Sequence, residues 1–364
     1  MPKDSFVESK LNQDGRGIDS RMKAVVKQRR GEGFVELLEV PEPVIGDSDV
    51  LLAVNATGIC GSDLMILHDF FPGYVAPVIL GHEFSGVVKE TGKNTSKFSV
   101  GDRVVSETHA YVCGSCRFCN SGVYNLCMSR KGFGYGLDGA LAKYVKVREP
   151  IVHRLPDSIG LDEAAVMEPL SVVVNALTRN SRISDGESVL VFGPGPIGLL
   201  AVRMSKLLGA RNVTIVGTEH SRKRLSLASA LGADDVLLEK DLRDDLLSSG
   251  SKFADRFDAA IIATGNPDAF EPALRAVRKA GKVIHIGEST KQASFQFSLI
   301  EKKNLTVQGS FSHNWPVWEE AIDLVKNGKV DLSKLVTHKL GLEDWKKGFD
   351  FAESREGVKV LIKP

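Results

Sequence analysis

Four of the five cysteines lie together in YVCGSCRFCNSGVYNLC, at positions Cys113, Cys116, Cys119 and Cys127. Small residues separate them, so the four thiolates can converge on one tetrahedral ion, and a closed four-sulfur set is typical of structural zinc. Four thiolates could alternatively bind an iron–sulfur cluster. Unrelated core cysteines would not crowd in this way. The stretch therefore predicts a structural zinc site.

The fifth cysteine, Cys60, stands alone in GICGSDL, while His82 and Glu83 lie in LGHEFSG and Glu168 lies in MEPLS. One thiolate, one imidazole and one carboxylate, with a fourth position left open, make up the ligand set of a catalytic zinc. Such an ion polarises an alcohol oxygen or a carbonyl. Either Glu83 or Glu168 can supply the carboxylate, and the sequence leaves that choice open.

A glycine-rich turn, VLVFGPGPIGLLA, places Gly193, Gly195 and Gly198 between a buried strand and a helix. In this context the glycines permit a tight turn, a close approach of a pyrophosphate and close packing of helix on strand. The turn predicts a dinucleotide site. The predicted cofactor contacts also include Pro196, Ile197 and Ile286.

The next strand ends in VTIVGTEHSRKR, where Gly217 occupies the position at which an acid usually binds the adenosine ribose. Glu219 follows two residues later, and Arg222 and Arg224 come just after it. A missing acid with nearby bases suits the 2′-phosphate of NADP, whereas Glu219 on a longer loop suits NAD. The bases could also simply face solvent at a helix start, so both cofactors stay open.

The elements that must position these residues change type along the chain. Short β-branched runs separated by turn residues predict a β region up to about residue 155. After Leu161, helical and strand patterns alternate, with DEAAVMEPLSVVVNALTR as a helix interrupted at Pro169 and DAFEPALRAVRKAG as a helix ending at Gly281. This alternation predicts a parallel sheet. The tail is read as helices plus a last β segment that returns to the first domain.

Length and composition agree with two globular domains. The chain has 364 residues, 43% apolar and 26% charged, with a formal net charge of +1. This charge supplies no basic field for nucleic acid, so a small-molecule substrate is the expected partner. The sequence has no apolar run long enough for a membrane span and no apolar segment of a signal peptide near its start. We therefore expect a cytoplasmic protein that associates with neither membrane nor nucleic acid.

From about Met22 onward the chain resembles the zinc-dependent medium-chain dehydrogenase/reductase superfamily, within it the sorbitol (polyol) and threonine dehydrogenase branch. The resemblance rests on CGSD at Cys60, GHEFSG at Gly81, GDRV at Gly101, the four-cysteine lobe, DGALAKYV at Asp138, MEPLSV at Met167 and GPGPIGLL at Gly193.

The resemblance implies an α/β plus β fold, with a GroES-like β catalytic domain and an inserted Rossmann domain whose parallel sheet is doubly wound. The implied division is a flexible extension over residues 1–21, the catalytic domain over 22–177 and 313–364, and the Rossmann domain over 178–312. The active site would lie in the cleft between the domains, and a homodimer or homotetramer is expected.

Carried over to this sequence, the resemblance makes Cys60 and His82 catalytic-zinc ligands, with Glu83 and Glu168 as direct or adjacent carboxylates. Ser62 matches the hydroxyl that relays the alcohol proton, and Asp63 would orient the loop. Many relatives have a histidine where this chain has Met65. The proton relay must therefore end through cofactor ribose, water or His68.

The implied activity is hydride transfer between a secondary alcohol, polyol or sugar-like, and NAD or NADP, with two zinc ions per chain. L-Threonine 3-dehydrogenase and other alcohol dehydrogenases are the alternatives among enzymes. A non-catalytic zinc- and nucleotide-binding sensor is the alternative of another class. Residues Asp69, Phe70, Phe71, Tyr74, His313, Asn314 and Trp315 are further candidates for the cleft wall.

Overall fold

The structure is a computed structural model and describes residues 20–364. The extension predicted for residues 1–21 lies almost wholly outside the described residues, since the first strand already begins at Arg21. No helix within the described part of the chain combines the length and the apolar character that crossing a membrane requires.

The first half of the chain is built from short strands. These are β1 Arg21–Lys27, β2 Val35–Pro41, β3 Asp49–Gly58, β4 Val78–Ile79, β5 Glu83–Thr91, β6 Arg103–Ser106, β7 Tyr144–Arg148 and β8 Val152–Arg154. Strands β1, β2 and β4 form one antiparallel sheet. The others join a second sheet. Buried β-branched residues such as Val50, Val104 and Val152 pack beneath that sheet, which is why these segments form strands.

The middle of the chain forms a six-stranded parallel sheet in the order β11-β10-β9-β12-β13-β14. Its strands are β9 Ser188–Phe192, β10 Asn212–Gly217, β11 Asp235–Leu238, β12 Phe257–Ile262, β13 Val277–His285 and β14 Thr306–Gly309. The central strand β9 is buried along its whole length. The sequence of a strand covered on both faces is a nearly continuous apolar run, as in SVLVF.

The last two strands, β15 Val336–Gly341 and β16 Lys359–Lys363, return to the sheet of the first half. Strand β16 pairs antiparallel with β3, which completes the order β15-β16-β3-β5-β6-β8, with β7 pairing β3. The prediction that the tail returns a β segment to the first region is confirmed.

Eleven α-helices connect and cover the sheets among residues 20–364. They are α1 Gly61–Leu67, α2 Arg117–Asn120, α3 Leu161–Ala164, α4 Met167–Val174, α5 Pro196–Leu207, α6 Arg222–Leu225, α7 Glu239–Leu247, α8 Phe270–Ala276, α9 Ser298–Lys303, α10 Trp315–Lys326 and α11 Trp345–Glu353. Helix α4 packs against both α5 and α10. One apolar core therefore continues from the β region into the parallel-sheet region.

The predicted interruption near Pro169 is confirmed: α3 ends at Ala164, α4 begins at Met167, and Pro169 occupies the first turn of α4, where a missing backbone N–H costs nothing. Another element prediction was wrong in detail. The helix predicted to end at Gly281 ends instead at Ala276, and Val277 begins β13. The register of β13 on β12 shifts in this region, and Ala280 has a positive φ of 56°. The β-branched side chain of Val277 is fully buried there, so tertiary packing outweighs the helical propensity of the residues that follow.

Candidate active site

The four clustered thiols converge in space as their spacing predicted. Sulfur–sulfur distances are 3.9 Å between Cys113 and Cys119, and 3.6 Å for both Cys116–Cys119 and Cys127–Cys113. Tetrahedral zinc with sulfur ligands at ~2.3 Å requires sulfur–sulfur edges of about 3.8 Å. All of these cysteines are free thiols, so disulfides do not account for the short distances. This donor set fits a structural zinc.

Backbone amides prepare the lobe for an anionic sulfur. The amides of Ser115 and Cys116 lower the pKa of the Cys113 thiol to about 6, and the Cys116 amide lies 3.4 Å from the Cys113 sulfur. Metal ligands must be thiolates, so an amide-stabilised sulfur favours the metal. The lobe reaches the cleft through its other residues, Val123, Asn125 and Leu126, and not through its sulfurs.

The second candidate metal site combines two loops. Cys60 precedes α1, His82 precedes β5, and Glu83 is the first residue of β5. One ligand atom from each of the three lies within 4.8 Å of the others. Asp63 ties the loops together, because its carboxylate accepts hydrogen bonds from the amides of Cys60 at 2.8 Å and Gly81 at 3.3 Å.

The His82 imidazole has an unused nitrogen. Its Nδ1 is buried, makes no hydrogen bond among the described residues and lies 3.9 Å from the Asp63 Oδ1 atom. A buried polar atom of this kind is costly unless a ligand satisfies it. Beside a free thiol and a carboxylate, the unsatisfied imidazole fits a zinc ligand set.

Glu83 also belongs to a buried ion pair. Lys359, the first residue of β16, contacts the Glu83 Oε2 atom at 2.5 Å and the Ile59 carbonyl oxygen at 3.1 Å. Burial opposes the charge on Lys359, but Glu83 and Cys60 more than offset it and raise the pKa of the ammonium group. Lys359 therefore stays charged and holds one carboxylate oxygen of Glu83, which leaves the other oxygen available.

Glu168 lies at the edge of the same site, and hydrogen bonds from buried residues orient its carboxylate. The Trp318 indole N–H donates to His313 Nδ1 at 2.8 Å, so the proton of the neutral imidazole must reside on Nε2. That Nε2–H donates to Glu168 Oε1 at 3.1 Å. Burial raises the pKa of the Glu168 carboxyl. Glu168 does not complete a tight group with Cys60 and His82, whereas Glu83 does.

The hydroxyl expected to relay a proton faces the metal site. Ser62 Oγ lies 3.5 Å from His82 Nε2, and Ser62 and Met65 both line the cleft. His68 instead lies outside the cleft, with its Nε2 at 2.6 Å from a Glu353 carboxylate oxygen and its Nδ1 at 3.4 Å from Glu32. Of the candidate relay ends, His68 is thus not positioned to receive the proton from Ser62.

The glycine turn joins β9 to α5 at the opposite wall of the cleft. Gly193 has φ 97°, a conformation that side chains rarely adopt. A Cβ on Gly198 would lie 1.8 Å from the Gly193 carbonyl oxygen, so only glycine lets the helix begin this close to the strand. Nothing lies within 4 Å of a Cβ built on Gly195, which faces the open cleft. The predicted cofactor contacts Pro196, Ile197 and Ile286 also line the cleft.

The end of β10 separates the remaining predicted cofactor residues into two groups. Gly217 and Arg224 line the cleft. Glu219 and Arg222 do not, and they pair with each other at the surface. The Arg224 guanidinium donates to the Gly357 and Ala352 carbonyl oxygens, and burial lowers its pKa to about 10.

Two hydroxyl residues and another arginine line the cleft near the end of β10, whereas Glu219 does not. Thr218 Oγ1 lies 3.0 Å from Ser221 Oγ, and Arg355 donates to Thr218 Oγ1 at 3.3 Å. All three residues line the cleft. Arg355 comes from the segment between α11 and β16, more than a hundred residues away in the chain. Sequence reasoning missed it because no local motif marks it.

One cavity of about 1670 Å³ contains both the candidate metal site and the glycine turn. Of the aromatic and polar residues predicted for its wall, Phe71 and Asn314 line it. The others do not, and they are Asp69, Phe70, Tyr74, His313 and Trp315. His313 is fully buried behind Glu168, and Tyr74 donates its hydroxyl to Asp69. A cavity of this size can hold a dinucleotide together with a small substrate.

Comparison with known proteins agrees with this geometry. The family model of the alcohol dehydrogenase GroES-like domain matches residues 46–157, and that of the zinc-binding dehydrogenase matches residues 196–327. The chain is 38% identical to a sorbitol dehydrogenase of Halalkalibacterium halodurans, over 94% of this chain and 99% of that protein. It is 36% identical to a D-arabitol-phosphate dehydrogenase of Enterococcus avium, over 95% and 98% of the two chains.

Among solved structures, a zinc-binding dehydrogenase from Sinorhizobium meliloti 1021, bound to NADP, superimposes with a TM-score of 0.87. The two chains are 28% identical, and the match covers 95% of this chain and 100% of that one. Sequence and structure therefore agree over nearly the whole length. The chain belongs to the zinc-dependent medium-chain dehydrogenase/reductase superfamily, in its polyol and threonine dehydrogenase branch.

Proposed function

We propose that the protein is a zinc- and NAD(P)-dependent dehydrogenase that oxidises a secondary hydroxyl of a polyol or sugar-like substrate. The observation that carries the proposal is the single cavity that Cys60, His82 and Glu83 share with the glycine turn at Gly193 and Gly195. A metal site and a dinucleotide turn facing one another are what hydride transfer from an alcohol requires.

For the catalytic zinc we assign Cys60, His82 and Glu83 as protein ligands. Their mutual distances support this choice over Glu168, which lies farther out. Glu168, with one oxygen held by His313, faces the cleft and would contact the substrate beside these residues. Cys113, Cys116, Cys119 and Cys127 would bind the structural zinc, which gives two ions per chain.

When bound, zinc supplies a Lewis acid that makes the alcohol hydroxyl acidic near neutral pH, and the nicotinamide supplies the hydride acceptor. Ser62 accepts the hydroxyl proton of the substrate and passes its own proton onward, because a serine can donate and accept hydrogen bonds at once. A nicotinamide held at the turn of Gly193 and Gly195 would accept the carbon-bound hydrogen as hydride, so that a secondary alcohol would become a ketone. The relay then continues to cofactor ribose or water, since Met65 cannot carry a proton.

We also propose the division into a catalytic domain over 22–177 and 313–364 and a cofactor domain over 178–312. Every strand of the parallel sheet falls within 178–312, and β15 and β16 extend the sheet of the first region. A cytoplasmic homodimer or homotetramer is part of the same proposal. The free thiols suit a reducing compartment, and β14 is an edge strand with Val307 exposed, which favours strand pairing between subunits.

A panel of sorbitol, xylitol, inositol, butanediol and threonine, each with NAD and with NADP, tests the proposal through the absorbance of reduced nicotinamide. Turnover of a polyol, with two zinc ions per chain by metal analysis, is the expected result. Turnover of threonine alone would replace the polyol by an amino acid as substrate class. One chelation-resistant zinc and no alcohol-dependent reduction would instead indicate a non-catalytic sensor.

A further inference from the structure

Arg130 lies just beyond the cysteine lobe and lines the substrate cleft. Its guanidinium is anchored on three sides. Nε donates to His109 Nδ1 at 2.8 Å, one terminal nitrogen donates to Thr108 Oγ1 at 3.0 Å, and the other donates to the Tyr135 hydroxyl. Three anchors on three nitrogens hold the guanidinium plane in one orientation.

All three anchors are neutral. His109 Nε2 donates to the His313 carbonyl oxygen at 2.7 Å, so its Nδ1 carries a lone pair and can only accept. Burial keeps the pKa of His109 well below its ordinary value. The anchors therefore fix the position of Arg130 without neutralising its charge.

Two other basic residues of the cleft have direct carboxylate partners, unlike Arg130. Arg179 pairs with Glu320, and Lys359 pairs with Glu83. Within residues 20–364, no carboxylate oxygen lies within 4.0 Å of an Arg130 nitrogen. A half-buried arginine without a carboxylate in direct contact can take an anionic ligand in that place.

The guanidinium retains the donors that such a ligand needs. Of its five N–H groups, the three anchors use one on each nitrogen, which leaves one N–H on each terminal nitrogen. A guanidinium with one free N–H on each terminal nitrogen can bind a carboxylate or a phosphate in a bidentate manner, which a lysine cannot reproduce.

The position of Arg130 relates this charge to the reacting hydroxyl. Arg130 interacts electrostatically with the buried Glu107 and with Glu168 and Glu288, which both line the cleft, and its guanidinium carbon lies 5.3 Å from the centre of the aromatic Phe311 ring. It thus lies on the metal side of the cleft. An anionic group held there would belong to the same small molecule whose hydroxyl reaches Cys60 and His82.

We propose that Arg130 forms an anion subsite of the substrate cleft, and that the substrate is an anionic polyol, either a phosphate ester or a carboxylate. The inference rests on the proposed function and narrows its substrate class. Tyr135 and Thr108 act as positioning residues, because they hold the guanidinium fork open toward the cleft.

Matched substrate pairs test the subsite. Arabitol is compared with arabitol 5-phosphate, and sorbitol with sorbitol 6-phosphate and gluconate, on the zinc-loaded full-length enzyme. We expect kcat/KM for an anionic substrate to exceed that of its neutral partner by about 10- to 100-fold, the range of one charge-assisted hydrogen-bonded pair. The phosphate and carboxylate arms decide which anion the subsite takes.

The variant Arg130→Gln should remove this preference mainly through KM and leave neutral polyols within about 3-fold of wild type. Arg130→Lys keeps the charge but loses the fork, so an intermediate preference is expected. Arg179→Gln is the matched control, since it removes another arginine of the cleft that already has a carboxylate partner. Equal kcat/KM for charged and neutral partners, unchanged by Arg130→Gln, would overturn the proposal.

A binding measurement separates this proposal from the proposed function. Inorganic phosphate is titrated calorimetrically into the zinc holoenzyme saturated with NADP, so that the cofactor site is occupied. Binding to wild type and its loss in Arg130→Gln support the subsite even if no alcohol is turned over. Gluconate is titrated in the same way, and absence of binding of both anions to wild type, together with turnover of neutral polyols, would leave the dehydrogenase standing and reject the subsite.

Discussion

Lys359, near the end of the chain, contacts the carboxylate of Glu83 at 2.5 Å, and both side chains are almost completely buried. The pair joins the last strand to the residue beside His82. A buried charge that loses its partner costs far more than an exposed one. The C-terminal strand therefore contributes directly to the charge balance of the candidate metal site.

Removing the ammonium group should leave Glu83 buried and unpaired. We expect Lys359→Met to lower the free energy of unfolding by about 3 kcal/mol, measured by urea denaturation of the zinc-free protein, in which no metal ion compensates the Glu83 carboxylate. Lys359→Arg, which keeps the charge, should retain most of the stability. Adding Glu83→Gln to Lys359→Met should recover part of the loss, and a double variant no more stable than Lys359→Met would argue against the pair as its source.

The two groups of cysteines should respond differently to substitution. Cys60→Ser should lower kcat by about 10³-fold or more, because the alcohol loses its Lewis acid, while the four-thiol lobe keeps one zinc ion. Cys119→Ser should instead lose the lobe zinc and reduce thermal stability, with kcat changed by less than about 10-fold. Zinc content by mass spectrometry and initial rates check both. Full activity in Cys60→Ser would contradict the proposed mechanism.

Residues close in sequence were the ones that could be predicted. The four-cysteine lobe and the turn at Gly193 are short segments whose spacing already limits their geometry, and the structure brings their members together. The contacts Lys359–Glu83 and His313–Glu168 join distant segments. They depend on how β16 pairs with β3 and on how α10 packs against α4, which no local pattern encodes.

The same dependence on contacts between distant segments explains why the end of the helix before Gly281 was predicted wrongly. The segment after Ala276 has residues that favour a helix, but it forms a strand because it pairs with β12 in the parallel sheet. Glu219 was a reasonable cofactor contact by its distance from the glycine turn. Its side chain pairs instead with Arg222, three residues on, as exposed charges at helix starts often do.

The chain from Trp318 through His313 to Glu168 should matter for turnover although His313 does not line the cleft. His313→Leu removes the donor that orients Glu168, and we expect kcat/KM to fall by about 10- to 100-fold. His313→Gln retains a donor and should lose less. Zinc content should stay at two ions per chain in both, and an unchanged kcat/KM in His313→Leu would remove any positioning role.

Thr218, Ser221 and Arg355 surround the place where the adenosine ribose should lie, and Gly217 offers no carboxylate there. This arrangement favours the 2′-phosphate of NADP over the free hydroxyl of NAD. We expect a higher kcat/KM with NADP than with NAD. Arg355→Gln should lower kcat/KM for NADP by about 10-fold and change kcat/KM for NAD by less than about 2-fold. Lys223→Gln is a suitable control, since Lys223 pairs with Glu356 at the surface. A preference for NAD that Arg355→Gln leaves intact would contradict this assignment.

Asp162 connects three strands of the catalytic sheet. Its Oδ1 atom accepts hydrogen bonds from Lys363 at 2.6 Å and Asn55 at 2.8 Å, and its Oδ2 atom pairs with Lys339 at 2.8 Å. Burial alone would raise the pKa of this carboxyl, but the lysines and the asparagine lower it to about 2. The folded state therefore holds the ionised form more tightly than the unfolded chain, in which the pKa is about 3.9.

Because the folded pKa is depressed, the stabilisation by Asp162 is fully present above about pH 4 and disappears as the pH falls toward 2. Asp162→Asn should lower the free energy of unfolding by about 1 kcal/mol at pH 7, a value reduced because both lysines are partly exposed. Urea denaturation of wild type and variant should show this difference unchanged from pH 7 to 5 and roughly halved near pH 3. A difference that stays constant down to pH 3 would mean that lost packing or hydrogen bonding, and not the carboxylate charge, produces the effect.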